Sequence, residues 1–160
     1  MLYWIFDLDY TLYDLPTNIK FEYELLNNDQ QLNYLLQNLP SKKLLFTNGT
    51  FGHGIVSLKK MNIISNFEKI IARDTINDLK PNHSSFKEFI RLTNIKEKDK
   101  CVFFEDNVDN LIQAKNFGWI TVLITKDNVI NEHIDFQFPN IHVALNYFLS
   151  KINNSKRNKY

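Results

Sequence analysis

Short apolar runs bounded by turn residues recur along the chain at Leu2–Leu8, Lys43–Thr47, Lys69–Ala72, Cys101–Glu105 and Ile120–Thr125. Each has the length of a strand. Between them the apolar residues fall three and four apart, as at Phe51, Ile55, Leu58 and Met61 or at Phe86, Phe89, Ile90 and Leu92, which is the stripe of an amphipathic helix. Five strands alternating with helices predict right-handed crossovers and a parallel sheet covered on both faces, a three-layer α/β/α Rossmann-like domain. In such a sheet ligands bind beyond the carboxyl ends of the strands.

The stretch from Asp14 to Pro40 fits this alternation least well; Phe21, Leu25, Leu26, Leu32, Leu35, Leu36 and Leu39 suggest one or two helices there, either a crossover or a very small lid. No repeat and no Gly/Ser-rich linker divides the chain, which has only four glycines, so residues 1–150 are expected to form a single domain. Residues 151–160 are basic and Asn-rich with almost no apolar content after Ile152, and are expected to fray as a disordered tail.

Composition narrows the function classes. At 160 residues, 44% hydrophobic and 14% aromatic, the chain is globular, and a net charge of +1 creates no field that argues for nucleic acid or a membrane. Its single cysteine, Cys101, cannot form an intramolecular disulfide, so a reducing, cytoplasmic location is expected. Met1–Phe6 is apolar but carries neither a basic leader nor a cleavage site, and is expected as a buried strand. No stretch approaches the ~20 apolar residues of a membrane-spanning helix.

Four polar stations stand at predicted strand ends. The first strand delivers Asp7, with Asp9 two residues on; two carboxylates crowded at a buried strand end are costly without a cation, and all-oxygen ligation favours a hard ion such as Mg²⁺. Capping of the following loop is the competing reading of both acids. Thr11 can hydrogen-bond the turn. At the second station, Thr47-Asn48-Gly49, the hydroxyl and the backbone N–H groups at a helix start suit a phosphate, although this is also ordinary turn chemistry. The third is Lys80-Pro81, where the proline suits the first turn of a helix and the lysine can neutralise both a transferring phosphate and a nucleophile. The fourth, Phe104-Glu105-Asp106-Asn107, ends another apolar run in paired acids; Asp106 and Glu105 would complete the oxygen shell, and Asn110, one helical turn on, would orient Asp106 or Lys80. An acidic N-terminal cap for a helix over 107–117 is the alternative there.

Together the four stations resemble the haloacid dehalogenase-like superfamily of aspartate-based phosphotransferases. Phe6-Asp7-Leu8-Asp9-Tyr10-Thr11-Leu12 is similar to its Asp-x-Asp-x-Thr signature, Thr47-Asn48-Gly49 to its second motif, Lys80-Pro81 to its third, and Glu105-Asp106-x-x-x-Asn110 to a variant of its fourth. The resemblance implies a Mg²⁺-dependent phosphomonoester hydrolase in which Asp7 attacks phosphorus to form an aspartyl-phosphate. It implies that Asp9 protonates the leaving group, then deprotonates the hydrolytic water, and meets the ion through its backbone carbonyl. Thr47, Asn48, Gly49 and Lys80 would hold the phosphate.

Thr47-Asn48-Gly49 followed by His53 looks most like the branch with pyrimidine 5′-nucleotidases, but only about 35 residues separate Leu12 from Thr47, so the helical cap usual in that branch is expected to be absent or reduced. The branch implies a phosphorylated small molecule such as a nucleotide, whereas an open site would suit an exposed substrate such as a phosphoprotein or a nucleic-acid end, and a dimer could replace the cap. His53 is expected as a half-buried residue of the Phe51–Met61 helix. The rival classes are a catalytically silent module that binds a phosphorylated partner and, last, a response-regulator receiver domain, which the acid–base group Asp9 disfavours.

Overall fold

Leu2–Phe6 form β1, in which every residue after Leu2 is buried, as a run without polar interruption requires when both faces of a strand are covered. The computed structural model describes residues 1–16 and 18–158. After β1 the chain makes a single 3₁₀ turn at Tyr23–Leu25 and then α1 (Gln30–Asn38), whose N-cap Asp29 accepts from the backbone N–H of Leu32. β2 (Lys42–Phe46), α2 (Phe51–Lys60), β3 (Lys69–Ile71), α3 (His83–Thr93), β4 (Lys100–Glu105), α4 (Val108–Asn116) and β5 (Ile120–Ile124) follow in strict alternation. A sixth strand, β6 (Phe136–Phe138), and α5 (Ile141–Arg157) complete the order.

All strand pairings are parallel, and the sheet order is β3-β2-β1-β4-β5-β6. From β1 the chain winds outward to β3, then crosses back and winds the other way from β4, so the order reverses between β1 and β4. That reversal leaves a crevice at their carboxyl ends. The register aligns Phe6 with Leu45 of β2 and with Phe104 of β4, so the residues that follow all three strands emerge together. Alternate side chains build two cores. Trp4, Phe6, Leu45 and Phe104 meet residues of α1, α2 and α5, whereas Ile5, Phe46 and Phe103 meet Phe86 and Phe89 of α3 and Leu111 of α4.

Three expectations are corrected. β6 was not anticipated. Pro81 does not occupy the first turn of α3; it precedes the N-cap Asn82 and follows a cis peptide bond from Lys80. α5 runs past Lys151, where the frayed tail was expected to begin, because Phe148, Leu149 and Ile152 keep the helical spacing and pack on the core. Residues 159–160 of that expected tail lie outside the described residues.

Candidate active site

Asp7 follows β1, and its backbone N–H still donates to the Phe104 carbonyl (2.9 Å), so the sheet holds this position by a ladder bond. The chain then turns sharply: Tyr10 takes a left-handed φ of 60°, and the N–H of Leu12 reaches back to the Leu8 carbonyl at 2.9 Å. The turn brings Thr11 over Asp7, and its hydroxyl donates to Asp7 Oδ2 at 3.1 Å.

Lys80 enters from the α3 side with no side-chain exposure. Its Nζ donates to Asp7 Oδ1 (3.0 Å), Glu105 Oε1 (2.8 Å) and the Phe46 carbonyl (2.6 Å), which uses all three ammonium protons inside the protein. The rings of Phe46 and Phe103 flank it with their centroids 5.0 and 5.3 Å from Nζ. Asn48 fixes the lysine's main chain, donating from Nδ2 to the Lys80 carbonyl at 2.9 Å and accepting its N–H at Oδ1 at 3.0 Å. The Asn48 side chain is therefore a brace between β2 and the lysine. Thr47 Oγ1 accepts the Gly49 N–H at 3.0 Å, which leaves the Thr47 hydroxyl proton free to be given elsewhere.

Glu105 is fully buried, and its oxygens are committed: Oε1 to Lys80 and to Asn110 Nδ2 (2.6 Å), Oε2 to the Asn107 N–H (2.8 Å). Asn110 thus orients Glu105, and neither Asp106 nor Lys80 is its partner. Burial alone would raise the Glu105 carboxyl, but the Lys80 charge and these hydrogen bonds hold it below the usual range. The reverse holds for its neighbours. Burial, aided by the Glu105 charge and opposed by Lys80, pushes Asp7 up to about 6. Asp106, whose outer edge is open, is pushed up to about 8 by burial of its inner side and by the charges of Glu105 and Asp7. Burial would lower Lys80, but its two carboxylate partners outweigh that and raise it.

Asp7, Glu105 and Asp106 each bring a carboxylate oxygen within 4.8 Å of the others. Three carboxylates face one ammonium, a deficit of two positive charges, and every donor is a hard oxygen. That set fits a divalent cation of the Mg²⁺ type.

Asp9 stands apart from this cluster. Its Oδ1 accepts from the Tyr13 hydroxyl and lies 2.6 Å from His53 Nε2, while His53 Nδ1 lies 3.0 Å from the Tyr23 hydroxyl. His53, expected as a half-buried helix residue, is half-buried and also a direct partner of Asp9. Tyr13 and Tyr23 were not anticipated. The Asp9–Tyr13 spacing of four, on a chain that turns helically after β1, was a readable signal for the first; nothing local marked the second. A cleft of about 1120 Å³ adjoins the site at Thr11 and Asp106 and continues between the Leu25–Gln30 segment and the start of α5.

The family model of haloacid dehalogenase-like hydrolases matches residues 19–124. The chain belongs to the haloacid dehalogenase-like hydrolases. The matched stretch contains Thr47, Lys80, Glu105, Asp106 and Asn110; Asp7 and Asp9 precede it and are joined to it by the contacts of Lys80 and His53.

Solved structures share the fold of these hydrolases at low identity. An L-2-haloacid dehalogenase from Xanthobacter autotrophicus superposes with a TM-score of 0.62 at 15% identity over 79% of this chain. A Thermotoga maritima protein assigned as a β-phosphoglucomutase gives 0.70 at 15% identity, covering 92% of this chain and 98% of that one. A haloacid dehalogenase-like phosphatase from Thermococcus onnurineus gives 0.58 at 21% identity over 73% of this chain. The chain spans 62% of the dehalogenase and 54% of the phosphatase, so it matches about three fifths or less of those two relatives. Among the described residues no helix is long and apolar enough to cross a membrane.

Proposed function

We propose that this chain is a Mg²⁺-dependent phosphomonoester hydrolase working through an aspartyl-phosphate on Asp7. The observation that carries the reading is Asp9. A halide leaves as a stable anion and needs no proton, whereas an alkoxide leaving from phosphorus does, and a carboxylate beside the nucleophile but outside the acidic cluster is placed to give one. Asp7 and Asp106 would hold the cation, with Glu105 anchoring Lys80 beside them. When bound, Mg²⁺ supplies charge neutralisation and alignment for an incoming phosphate.

The residues act in order. Lys80 and Thr11 fix the Asp7 carboxylate, so that its lone pair, not a rotamer search, meets phosphorus. Asp7 Oδ bonds to phosphorus, the bond to the leaving oxygen breaks, and Asp9 gives that oxygen its proton. Asp9 then takes a proton from water as the water oxygen attacks phosphorus, which frees Asp7 and inorganic phosphate. The Thr47 hydroxyl is available to donate to a phosphate oxygen through both halves.

The test is phosphate release from 4-nitrophenyl phosphate with Mg²⁺, with EDTA, and with Asp7→Asn. Turnover is expected only in the first case; no turnover with Mg²⁺, or turnover in EDTA or by Asp7→Asn equal to it, sinks the reading. The finer reading, nucleoside monophosphates, draws on the likeness of Thr47-Asn48-Gly49 and His53 to the pyrimidine 5′-nucleotidase branch and on the cleft of about 1120 Å³ beside Thr11 and Asp106. A panel of nucleoside monophosphates, a phosphopeptide and 3′-phosphorylated DNA decides it. Preference for pyrimidine monophosphates supports the nucleotidase branch, and preference for either macromolecule replaces it.

A further inference from the structure

Asp9 is tied down by a single oxygen. Oδ1 receives Tyr13 from the loop after β1 and His53 from the first turn of α2, two elements separated by 44 residues at the histidine. In the tautomer that places the hydrogen on Nε2, facing the carboxylate, Nδ1 is the acceptor for the Tyr23 hydroxyl. Every donor in the series from Tyr23 through His53 to Asp9 then has one acceptor. The ring is wedged: Phe21 meets it edge-on at 5.3 Å, Thr50 Oγ1 caps the His53 backbone N–H at 3.2 Å, and a Cβ on Gly49 would sit 2.9 Å from His53 Cδ2.

The other oxygen points to the phosphate station. The same imagined Cβ on Gly49 would lie 3.3 Å from Thr47 Oγ1 and 3.6 Å from Asp9 Oδ2, so Oδ2 and the Thr47 hydroxyl look onto one small space above Gly49. The Asp9 side chain is 34% exposed, and a carboxylate that open would otherwise sample several rotamers.

We propose that Tyr13 and His53 are positioning residues that hold Asp9 through Oδ1 and so keep Oδ2 as the oxygen that exchanges the proton. This rests on the phosphohydrolase reading. Oδ1 remains an acceptor whether Oδ2 carries a proton or not, so the two hydrogen bonds survive both halves of the reaction. Tyr13, Phe21 and Tyr23 thereby organise the acid–base group together with His53.

The experiment compares kcat/KM, which reports transfer to Asp7, for benzyl phosphate and 4-nitrophenyl phosphate. The two leaving groups are similar in size, but the alkoxide needs a proton and the nitrophenolate leaves unaided. Tyr13→Phe and His53→Ala should each lower kcat/KM for benzyl phosphate about tenfold while changing it less than about threefold for 4-nitrophenyl phosphate, a fraction of what general acid catalysis supplies. His53→Gln, which keeps an N–H donor near the Nε2 position, should recover most of the loss. In an Asp9→Ala background neither substitution should add to the split between substrates. Equal losses on both substrates, no loss on either, or a further split without Asp9 would overturn the inference while leaving the phosphohydrolase reading intact. Tyr13→Phe removes one oxygen, and a circular dichroism spectrum and Tm close to those of the parent confirm that the comparison concerns a folded chain. A parent chain that turns over neither substrate in Mg²⁺ removes the phosphohydrolase reading, and this inference falls with it.

Discussion

Lys80 shows how completely the sheet has enclosed a charge. It has three protons, three acceptors and no solvent, with carboxylates on both sides. Lys80→Met would leave Glu105 buried without its counter-charge, and removal of one partner from such a pair costs about 3–5 kcal/mol. The loss should appear as a lower urea midpoint at unchanged m-value. Asp106 is the opposite case, a carboxylate raised by burial and by two like charges. Asp106→Asn should therefore raise the Tm of the metal-free chain at pH 8 while abolishing the Tm increase on adding Mg²⁺. A drop in metal-free Tm would contradict the charge deficit assigned to the site. The bare face of Gly49 sets a third constraint: a methyl there would sit 2.9 Å from the His53 ring, which two hydrogen bonds hold in place, so Gly49→Ala should lower activity and Tm together, read by kcat and thermal melting.

At the level of elements, the strands that carry chemistry were legible because each is an unbroken apolar run ending in an acid or a hydroxyl, and burial on both faces forces that pattern. β6 was not legible: Phe136–Phe138 is a three-residue edge strand with an amide at its centre, too short to show a period. The extension of α5 was masked by its polar face, since only Ile152 among residues 151–157 packs inward. The site divided in the same way. Asp7 and Asp106 could be placed from strand ends and Lys80 from the Lys-Pro pair before a helix, whereas the His53–Asp9 contact joins positions 44 apart and depends on the turn of a helix. α1 and α5 meet through a residue with two duties: Asp29 caps α1 with Oδ1 and receives His142 on Oδ2 at 2.8 Å. Asp29→Ala should destabilise the chain by about 1 kcal/mol from the cap, measured by chemical denaturation.

For the whole molecule, the acidic cluster links folding to pH. Burial, with the neighbouring negative charges, pushes Asp7 up to about 6 and Asp106 up to about 8 in the folded chain, above the ordinary carboxylate value they return to on unfolding. The folded chain therefore binds more protons than the unfolded one across that interval. Their contribution is complete below the unfolded value and is lost as pH rises through 6 and then 8. Glu105, held low, acts in the other sense but only at more acidic pH. In EDTA the Tm should fall between pH 5 and pH 8.5, and Mg²⁺ should raise it most at the alkaline end; a Tm that climbs with pH in EDTA would refute the assignment.

The same sheet also contains a clock. Cys101, the only thiol in the chain, sits at the start of β4 with 3% exposure, and burial pushes it up to about 12. A reagent that attacks thiolate cannot reach it until the core that covers it opens, so the labelling rate of the unaltered protein times that opening. A cation held by Asp7 and Asp106 would slow that rate, and the lag would register its arrival without any substrate being turned over.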